Sequence, residues 1–318
     1  MDGATGSGGH RALIADSDAD LAAAVERFVY DGLAAGEPVV ISCTEGTAAL
    51  LRVALGDRPG AQWAEWSDVF GSGAAAAVTA IRRLAERHRA GAGSLVRVVL
   101  EPLAGPDPET WREWQRFEAV LDHEVAAEPV LALCVTDTRR VPPALVATAR
   151  ATHPVLVGTG GERRNPDHVD PERYLQSLPI PPEPLEETEP LVRATAVRDL
   201  RGLRRELAER VADALLAPGS EPALEDFLLA VDEMITNALR HGRPPVSLRL
   251  WAGADRLVCT ITDRGAGFED PFIGYGPAHG EDLSLGGMGL WLARQLCDHV
   301  DITPDGTGVQ VRLTTVLD

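Results

Sequence analysis

The second half of this 318-residue chain is organised around the stretch VDEMITNALRHG, residues 231–242. Together with the residues before it, this stretch places apolar side chains at three- and four-residue spacing, which predicts an amphipathic helix over residues 222–241. Glu233 and Asn237 are one turn apart on roughly the opposite side. A carboxylate can orient a water or hydroxyl, and an amide oxygen can bind Mg²⁺, so this side faces either solvent or a ligand.

A glycine-rich segment, DRGAG at residues 263–267, comes directly after a predicted strand. A buried carboxylate at a strand end, here Asp263, can accept hydrogen bonds from an exocyclic amine. Gly265 and Gly267 allow the backbone to approach a flat ligand closely or to take positive φ. By itself the segment is more typical of an ordinary Asp-Gly turn.

A second glycine-rich segment, LGGMGLWLARQLCD at residues 285–298, opens another predicted helix. The free backbone N–H groups at such a helix start can hold a phosphate. In DGTGVQV, residues 305–311, Thr307 is placed either to hydrogen-bond a base or simply to form a hairpin turn. The glycines before or within the start of the helix are Gly286, Gly287 and Gly289.

The order and spacing of these segments resemble those of the GHKL ATPases, which share the Bergerat nucleotide-binding fold. DEMITNALRHG resembles their N box, DRGAG their first glycine box and GGMGL their second. Within that superfamily the chain is most similar to the anti-sigma factor kinases that regulate general-stress and sporulation sigma factors, whose first helix resembles RDLRGLRREL. The resemblance covers residues 191–318.

The resemblance implies an ATP and Mg²⁺ site with Glu233 as general base and Asn237 as the Mg²⁺ ligand. Arg240 stands where many relatives carry a cation near the phosphates, although a solvent-facing arginine explains it equally well. The other implied ATP contacts are Asp263, Gly265 and Gly267 at adenine, Gly287 and Gly289 at the phosphates, and Thr307 in support of the adenine site.

The implied function is control of a sigma factor by partner switching, with phosphorylation of a Ser or Thr on a STAS-type anti-sigma antagonist. Two departures keep alternatives open. The predicted helix 196–216 contains no His, which disfavours a sensor histidine kinase. The lid, residues 268–285, contains no Lys or Arg, which favours a nucleotide-binding, sigma-sequestering module with little kinase activity. Acidic residues occupy the lid instead: Glu269, Asp270, Glu281 and Asp282.

Composition limits the other function classes. A net charge of −18 argues against direct nucleic-acid binding and against an anionic membrane surface. The sequence shows neither a signal peptide nor an apolar run of bilayer length, so we expect a cytoplasmic protein. None of the four cysteines sits in a CxxC motif, and each lies in an apolar run, which predicts buried free thiols.

The two halves are predicted to fold differently. Strand and helix signals alternate over residues 10–170, which predicts an α/β domain with a mostly parallel sheet, preceded by a disordered stretch at residues 1–9. Residues 171–190, rich in Pro and Glu, are predicted to be a linker without regular helix or strand. Over residues 191–318 the order ααββ-loop-αββ predicts an α+β sandwich, with helices on one face of a mixed or antiparallel sheet.

The first half resembles the MEDS sensory domain, which is distantly similar to RecA/KaiC-like ATPases. The resemblance rests on HRALI, GLAAGEPVVISCT, LEP, WQRFEAVLDHEV and LCVTDTRRVPP between residues 10 and 143. No GxxxxGK[ST] motif follows a strand, so we do not expect this half to hydrolyse ATP. A homodimer is also a possible assembly.

A possible site for a small-molecule signal lies in this half, at the ends of the predicted strands, where α/β folds build ligand sites. A metal or haem site using His10 and Cys134 is an alternative, although their spacing matches no familiar ligand pattern. The side chains expected at or near the strand ends are His10, Glu101, Glu118, Cys134 and Asp137.

Overall fold

The computed structural model describes residues 8–56, 60–70, 73–89, 91, 94–101, 108–126, 128–214, 221–276, 287–304 and 306–317. The chain divides into two compact units, Met1–Leu178 and Pro179–Asp318. Each unit has its own sheet and its own apolar core.

The N-terminal unit is a seven-stranded sheet in the order β3-β2-β4-β5-β1-β6-β7. Every neighbouring pair is parallel except β6 with β7, so the predicted α/β class and mostly parallel sheet are confirmed. The strands are β1 (Gly9–Ala15), β2 (Val39–Ser42), β3 (Ala61–Trp63), β4 (Val96–Leu100), β5 (Val130–Asp137), β6 (Val155–Gly158) and β7 (Gly161–Arg164). The helices are α1 (Asp18–Ala34), α2 (Glu45–Leu55), α3 (Trp66–Phe70), α4 (Ala74–His88), α5 (Pro108–Val125), α6 (Pro143–Thr152) and α7 (Pro171–Ser177).

The two faces of this sheet carry different side chains, because successive residues of a strand point to opposite faces. Leu13 and Leu133 belong to the apolar core that also contains the buried residues of α1 and α2. His10 and Cys134 have the opposite parity on the paired strands β1 and β5 and therefore share the other face. That face is the one on which α5 supplies Glu118.

The structure differs from the prediction at both ends of this unit. β1 begins at Gly9, within the stretch expected to be disordered, while residues 1–7 lie outside the described residues. The prediction that residues 171–190 hold no regular helix is wrong, since α7 occupies Pro171–Ser177. Asp170 caps this helix by accepting from the Arg173 N–H, and Pro171 fits the first helical position, where no N–H is needed.

The C-terminal unit is a five-stranded sheet in the order β11-β12-β10-β9-β8, with every neighbouring pair antiparallel. This confirms the predicted sheet with helices packed on it. A 3₁₀ helix (Pro184–Glu187) precedes the strands β8 (Val192–Ala194), β9 (Ser247–Ala252), β10 (Arg256–Asp263), β11 (His299–Pro304) and β12 (Val309–Val316). The helices are α8 (Leu200–Ala214), α9 (Glu221–His241) and α10 (Gly287–Leu296).

One face of this sheet forms a core with all three helices. Cys259 of β10 and Leu313 of β12 are fully buried there, beside Phe227 of α9 and Leu290 of α10. Because side chains alternate along β10, Asp263 lies on this same helix-facing side, at the end of the strand.

The opposite face is covered by the segment that leads into the unit. The Trp251 Nε1–H donates to the Thr188 carbonyl at 3.1 Å. The Arg312 guanidinium donates to the Pro181 carbonyl at 2.8 Å and to Glu186 at 3.1 Å. Part of the stretch predicted as a linker is thus fixed to the C-terminal sheet by side chains of β9 and β12.

Two predictions from composition can be compared with the described residues. All four cysteines are buried free thiols, as expected. Among the described residues no helix is both long enough and apolar enough to span a bilayer.

Candidate nucleotide site

The predicted α9 forms as expected and turns Glu233 and Asn237 toward the start of α10. Met234 and Ile235 are buried in the core, whereas Glu233 and Asn237 are half-buried. A β-carbon built on Gly289 would lie 2.9 Å from both the Glu233 Oε2 and the Asn237 Nδ2 atoms. The two polar residues singled out in the sequence are therefore together, and the second glycine box lies directly against them.

The Asn237 side chain has an unused hydrogen-bonding group. Its Nδ2 atom is buried and has no hydrogen-bond partner among the described residues. Such an orphaned polar group is costly unless a ligand or water satisfies it. The site therefore offers a polar group that is placed for a bound molecule.

Asp263 is held in place by backbone donors. Its Oδ1 atom accepts from the Arg243 N–H at 3.1 Å and from the Gly265 N–H at 2.5 Å. The residue is 8% exposed. With Oδ1 engaged by these two donors, Oδ2 is the oxygen that can accept from a ligand amine.

A cavity of about 590 Å³ lies beside Asp263, between α9 and the strands β10 and β12. Its volume is within the range of small-molecule sites, about 300–1,000 Å³. Apolar residues form a large part of its wall, and its polar side chains are Asn237, His241, Asp263, Glu269 and Asp270, an arrangement that suits a flat ring with an amino edge. The apolar lining comprises Met234, Ala238, Ile261, Ala266, Phe268, Ile273, Val309 and Val311.

Gly265 and Gly267 line this cavity and have steric reasons to be glycine. A β-carbon at Gly265 would lie 2.6 Å from the Asp263 Oδ1 atom. Gly267 has φ of +80°, and a β-carbon there would approach Val309 to 3.3 Å. The first glycine box thus shapes the wall next to the carboxylate.

The remaining predicted site residues lie outside this cavity lining. Gly287 is the first residue of α10 and is half-buried. Arg240 and Thr307 are exposed, and Thr307 precedes β12 by two residues rather than starting it. Of the acidic lid residues, Glu269 and Asp270 line the cavity. The lid residues Glu281 and Asp282 and the box residue Gly286 lie outside the described residues.

Two further glycines support the site and were missed in the sequence. A β-carbon at Gly242 would lie 2.5 Å from Asp263 Oδ1, and one at Gly308 would lie 1.8 Å from the Asp263 carbonyl oxygen. Both residues stand in glycine-containing turns, at the end of α9 and before β12. The local sequence around each glycine indicates a turn. Only the packing against Asp263 shows why neither position can hold a side chain.

The described beginning of the lid is anchored to α10. Tyr275 is 2% exposed, and the Arg294 guanidinium carbon lies 4.0 Å from its ring centroid. A β-carbon at Gly274 would lie 2.7 Å from Leu290. The first residues of the lid are therefore packed against α10.

In the N-terminal unit the residues expected at the strand ends do not form one site. Glu101 accepts from the Thr44 hydroxyl and the Thr47 hydroxyl, each at 2.7 Å. Asp137 accepts from the Arg139 Nε–H at 2.8 Å, which lowers the pKa of Asp137. Protein donors thus engage both carboxylates that stand at strand ends.

His10 lies near a strand end, as the second residue of β1, but the same expectation is wrong for Glu118, which lies within α5, and for Cys134, which lies inside β5. These three are fully buried against one face of the sheet, together with His153, which the sequence did not indicate. Burial acts to raise the pKa of Glu118, but contact with His153 and His10 lowers it to about 2. Burial and the nearby Glu118 raise the pKa of the Cys134 thiol.

Comparison with known families agrees with this division. Residues 9–154 match the family MEDS, MEthanogen/methylotroph, DcmR Sensory domain, and residues 193–315 match the Histidine kinase-like ATPase domain. The chain carries a MEDS domain at its N-terminus and a histidine kinase-like ATPase domain at its C-terminus.

Several proteins named serine-protein kinase RsbW are similar to part of this chain. Those of Bacillus velezensis and Bacillus licheniformis are 36% and 38% identical over 105 residues. That of Bacillus subtilis strain 168 is 36% identical over 105 residues. Each match covers 30% of this chain and 65% of the relative, so the chain spans slightly less than two thirds of the length of these relatives.

Proposed function

We propose that the C-terminal unit binds Mg·ATP and phosphorylates a Ser or Thr of a STAS-type anti-sigma antagonist, and that it binds and silences a sigma factor when the antagonist is absent. The observation that carries this proposal is the convergence of Glu233, Asn237 and Gly289 beside the cavity that holds Asp263. The similarity to proteins named serine-protein kinase RsbW supports the same chemistry.

The residues present fit ATP and Mg²⁺. Asp263 offers a carboxylate oxygen to the adenine amino group, within an apolar slot closed on one side by Gly267 and Val309. Asn237 offers the buried amide that lacks a protein partner, and its side-chain oxygen is the type of ligand that Mg²⁺ prefers. Gly289 keeps the space beside Asn237 free of a side chain.

Glu233 is positioned to act as the general base. ATP supplies the transferable phosphoryl group, and Mg²⁺ offsets its charge. Glu233 accepts the proton of the antagonist hydroxyl at a carboxylate oxygen, which lies within reach of the start of α10. The backbone N–H groups at Gly287 and Gly289, at the positive end of α10, orient and hold the phosphates. Thr307 supports the adenine site, and Arg240 supplies a positive charge near the phosphates.

A nucleotide-dependent binding module with little catalysis is the second candidate. The acidic residues Glu269 and Asp270 on the cavity wall favour it, because they provide no positive charge against a developing phosphoryl charge. Transfer of labelled γ-phosphate from ATP to purified STAS-type antagonists of the native cell distinguishes the two. The kinase requires labelled antagonist, whereas the binding module requires ATP-dependent sigma binding without labelling.

The MEDS domain is proposed to bias this partner choice in response to a small-molecule signal. Its parallel strand order β2-β4-β5-β1-β6 supports the proposed kinship with RecA/KaiC-like domains. Control of a sigma factor places the protein in the cytoplasm. A homodimer is the proposed assembly, and neither nucleic acid nor a membrane is a proposed partner.

A further inference from the structure

Four potential metal ligands meet inside the MEDS domain. His10, Glu118, Cys134 and His153 each offer one ligand atom, and these atoms all lie within 4.8 Å of one another. The His10 Nε2 atom lies 3.2 Å from the Cys134 Sγ atom and 3.2 Å from the Glu118 Oε2 atom. The His153 Nε2 atom lies 3.2 Å from the same carboxylate oxygen. All four side chains are fully buried, so the cluster is not a solvated surface group.

The fold brings these residues together from distant parts of the sequence. His10 of β1 is in register with Ala132 of β5, two residues before Cys134, so both side chains project from the same face of the parallel pair. Helix α5 lies over that face and supplies Glu118. His153 directly follows α6, beside the start of β6. The four ligands thus come from β1, β5, α5 and the connection between α6 and β6.

In its neutral form His153 directs a lone pair into the cluster. Its Nδ1 atom lies 2.8 Å from the Ala149 carbonyl oxygen, which can only accept, so Nδ1 carries the proton in the neutral ring. In that neutral ring the Nε2 atom is an acceptor that faces the Glu118 carboxylate oxygen, also an acceptor, whereas a protonated ring would form an ion pair with this carboxylate. In the described structure neither the His153 Nε2 atom nor either Glu118 oxygen has an aligned hydrogen bond.

His10 cannot resolve this arrangement by itself. A neutral imidazole carries one N–H, and the His10 Nε2 atom faces both Cys134 and Glu118 at the same distance of 3.2 Å. Buried polar atoms without partners are rare in native proteins, and each needs a cause such as a bound ion or water. A cation among these atoms accounts for the whole set at once.

We propose that His10, Glu118, Cys134 and His153 bind one divalent transition-metal ion. Two imidazoles, a carboxylate and a thiolate form a ligand set typical of tetrahedral zinc. Ligand atoms about 2.0–2.3 Å from a tetrahedral zinc ion lie roughly 3.3–3.6 Å from one another. Three of the six distances between the ligand atoms are 3.2 Å, close to that spacing, and the other three are within 4.8 Å.

Neighbouring groups would orient the ligands. Metal-binding histidines usually donate their second ring N–H to a carbonyl or carboxylate. His153 does so to Ala149, and the His10 Nδ1 atom lies 3.8 Å from the Asp122 Oδ1 atom. The other Asp122 oxygen contacts the His168 Nε2 atom at 2.9 Å. Cys134 would bind as the thiolate, releasing one proton to solvent for each ion bound.

Cobalt(II) is the probe that tests this site in the full chain after removal of metals with a chelator. We expect the wild type to bind one ion with a thiolate-to-cobalt charge-transfer band. The proposed Mg²⁺ ligand of the C-terminal unit, Asn237, supplies no sulfur and cannot produce that band. The matched control is Cys43→Ser, which changes another buried thiol of the same unit and should keep the band, whereas Cys134→Ser should lose it.

The outcomes are decisive in either direction. Absence of the band in wild type at saturating cobalt, or its persistence in Cys134→Ser, overturns the proposal and leaves a buried histidine–glutamate ion pair. Should Cys134→Ser fail to fold, Asp122→Asn provides the second variant. It should keep the band but weaken cobalt binding by about 10- to 100-fold, the usual effect of removing an orienting group. Unchanged affinity in Asp122→Asn together with a band in wild type would contradict the proposed role of Asp122.

Discussion

Gly289 of α10 faces Asn237 of α9 so closely that a β-carbon at position 289 would lie 2.9 Å from the Asn237 Nδ2 atom. The same β-carbon would lie 2.9 Å from the Glu233 Oε2 atom. A side chain at residue 289 would therefore have to displace the ends of the Asn237 and Glu233 side chains.

Gly289→Ala should weaken Mg·ATP binding by about tenfold or more, a loss of about 1.4 kcal/mol, because its methyl group displaces Asn237 and Glu233. Isothermal titration of the full chain with Mg·ATP measures the change. Met288→Ala in the same turn is the control, since Met288 is 40% exposed and should bind like wild type. Equal affinity in Gly289→Ala and wild type would remove the second glycine box from the nucleotide site.

Asp263→Asn should reduce ATP affinity by about 10- to 100-fold, because hydrogen bonds to charged groups contribute about 1.5–3 kcal/mol. The asparagine oxygen can still accept from the Arg243 and Gly265 N–H groups, so the fold is expected to persist. Its amide nitrogen would then face the adenine amine, donor against donor. Asp255→Asn, in the exposed turn of the same hairpin, is the matched control.

The specificity of the loss separates an adenine contact from a general effect on the site. Wild type should prefer ATP over GTP, which has a carbonyl in place of the amine, and Asp263→Asn should reduce that preference. Competition of both nucleotides against a fluorescent ATP analogue gives the ratio. A variant that loses ATP and GTP binding equally would argue against an adenine contact by Asp263.

Arg312→Ala should lower the free energy of unfolding of the C-terminal unit by about 3 kcal/mol, the order found when a buried ion pair loses one partner. The Arg312 Nη2 atom donates to Asp301 at 2.9 Å, and Asp301 is 3% exposed, so the substitution removes a charged partner from a buried carboxylate. Chemical denaturation measures the change. Arg193 lies in β8 and its side chain is half-exposed, so Arg193→Ala should have little effect on the free energy of unfolding.

The same substitution should expose the segment that covers the sheet, because Arg312 also holds the Pro181 carbonyl and Glu186. Cleavage at Glu186 or Glu187 by a glutamate-specific protease should be faster in Arg312→Ala than in Arg193→Ala. Cleavage rates that match in the two variants would show that Trp251 and its neighbours hold the segment without Arg312.

Most residues of the candidate nucleotide site could be singled out in the sequence because their signals are local. An apolar stripe fixes which side of α9 packs, so the position of Glu233 and Asn237 on the other side follows from spacing, whereas their roles follow from the resemblance to the GHKL ATPases. Asp263 stands at the end of a strand with clear alternation and is followed by glycines. The role of Gly308 was not predictable, because only the antiparallel pairing of β10 with β12 brings it against the Asp263 carbonyl.

The shortest elements and the buried cluster of the MEDS domain were beyond the reach of sequence patterns. β8 has only three residues and pairs with β9. Three residues are too few to show the alternation of apolar and polar side chains that predicts a strand. His153 follows a helix without any local motif, and its proximity to His10 depends on the parallel placement of β6 beside β1. The spacing of residues along the chain does not predict such contacts.

The most direct measurement is transfer of labelled γ-phosphate from ATP to a purified STAS-type antagonist by wild type, Glu233→Gln and Glu225→Gln. Glu225 is exposed on the same helix and is the matched control. The account predicts a labelled antagonist with wild type and Glu225→Gln. With Glu233→Gln it predicts at least about a hundredfold less, the lower range for loss of a general base, while ATP binding is retained. Equal transfer by wild type and Glu233→Gln, with both binding ATP, would contradict it.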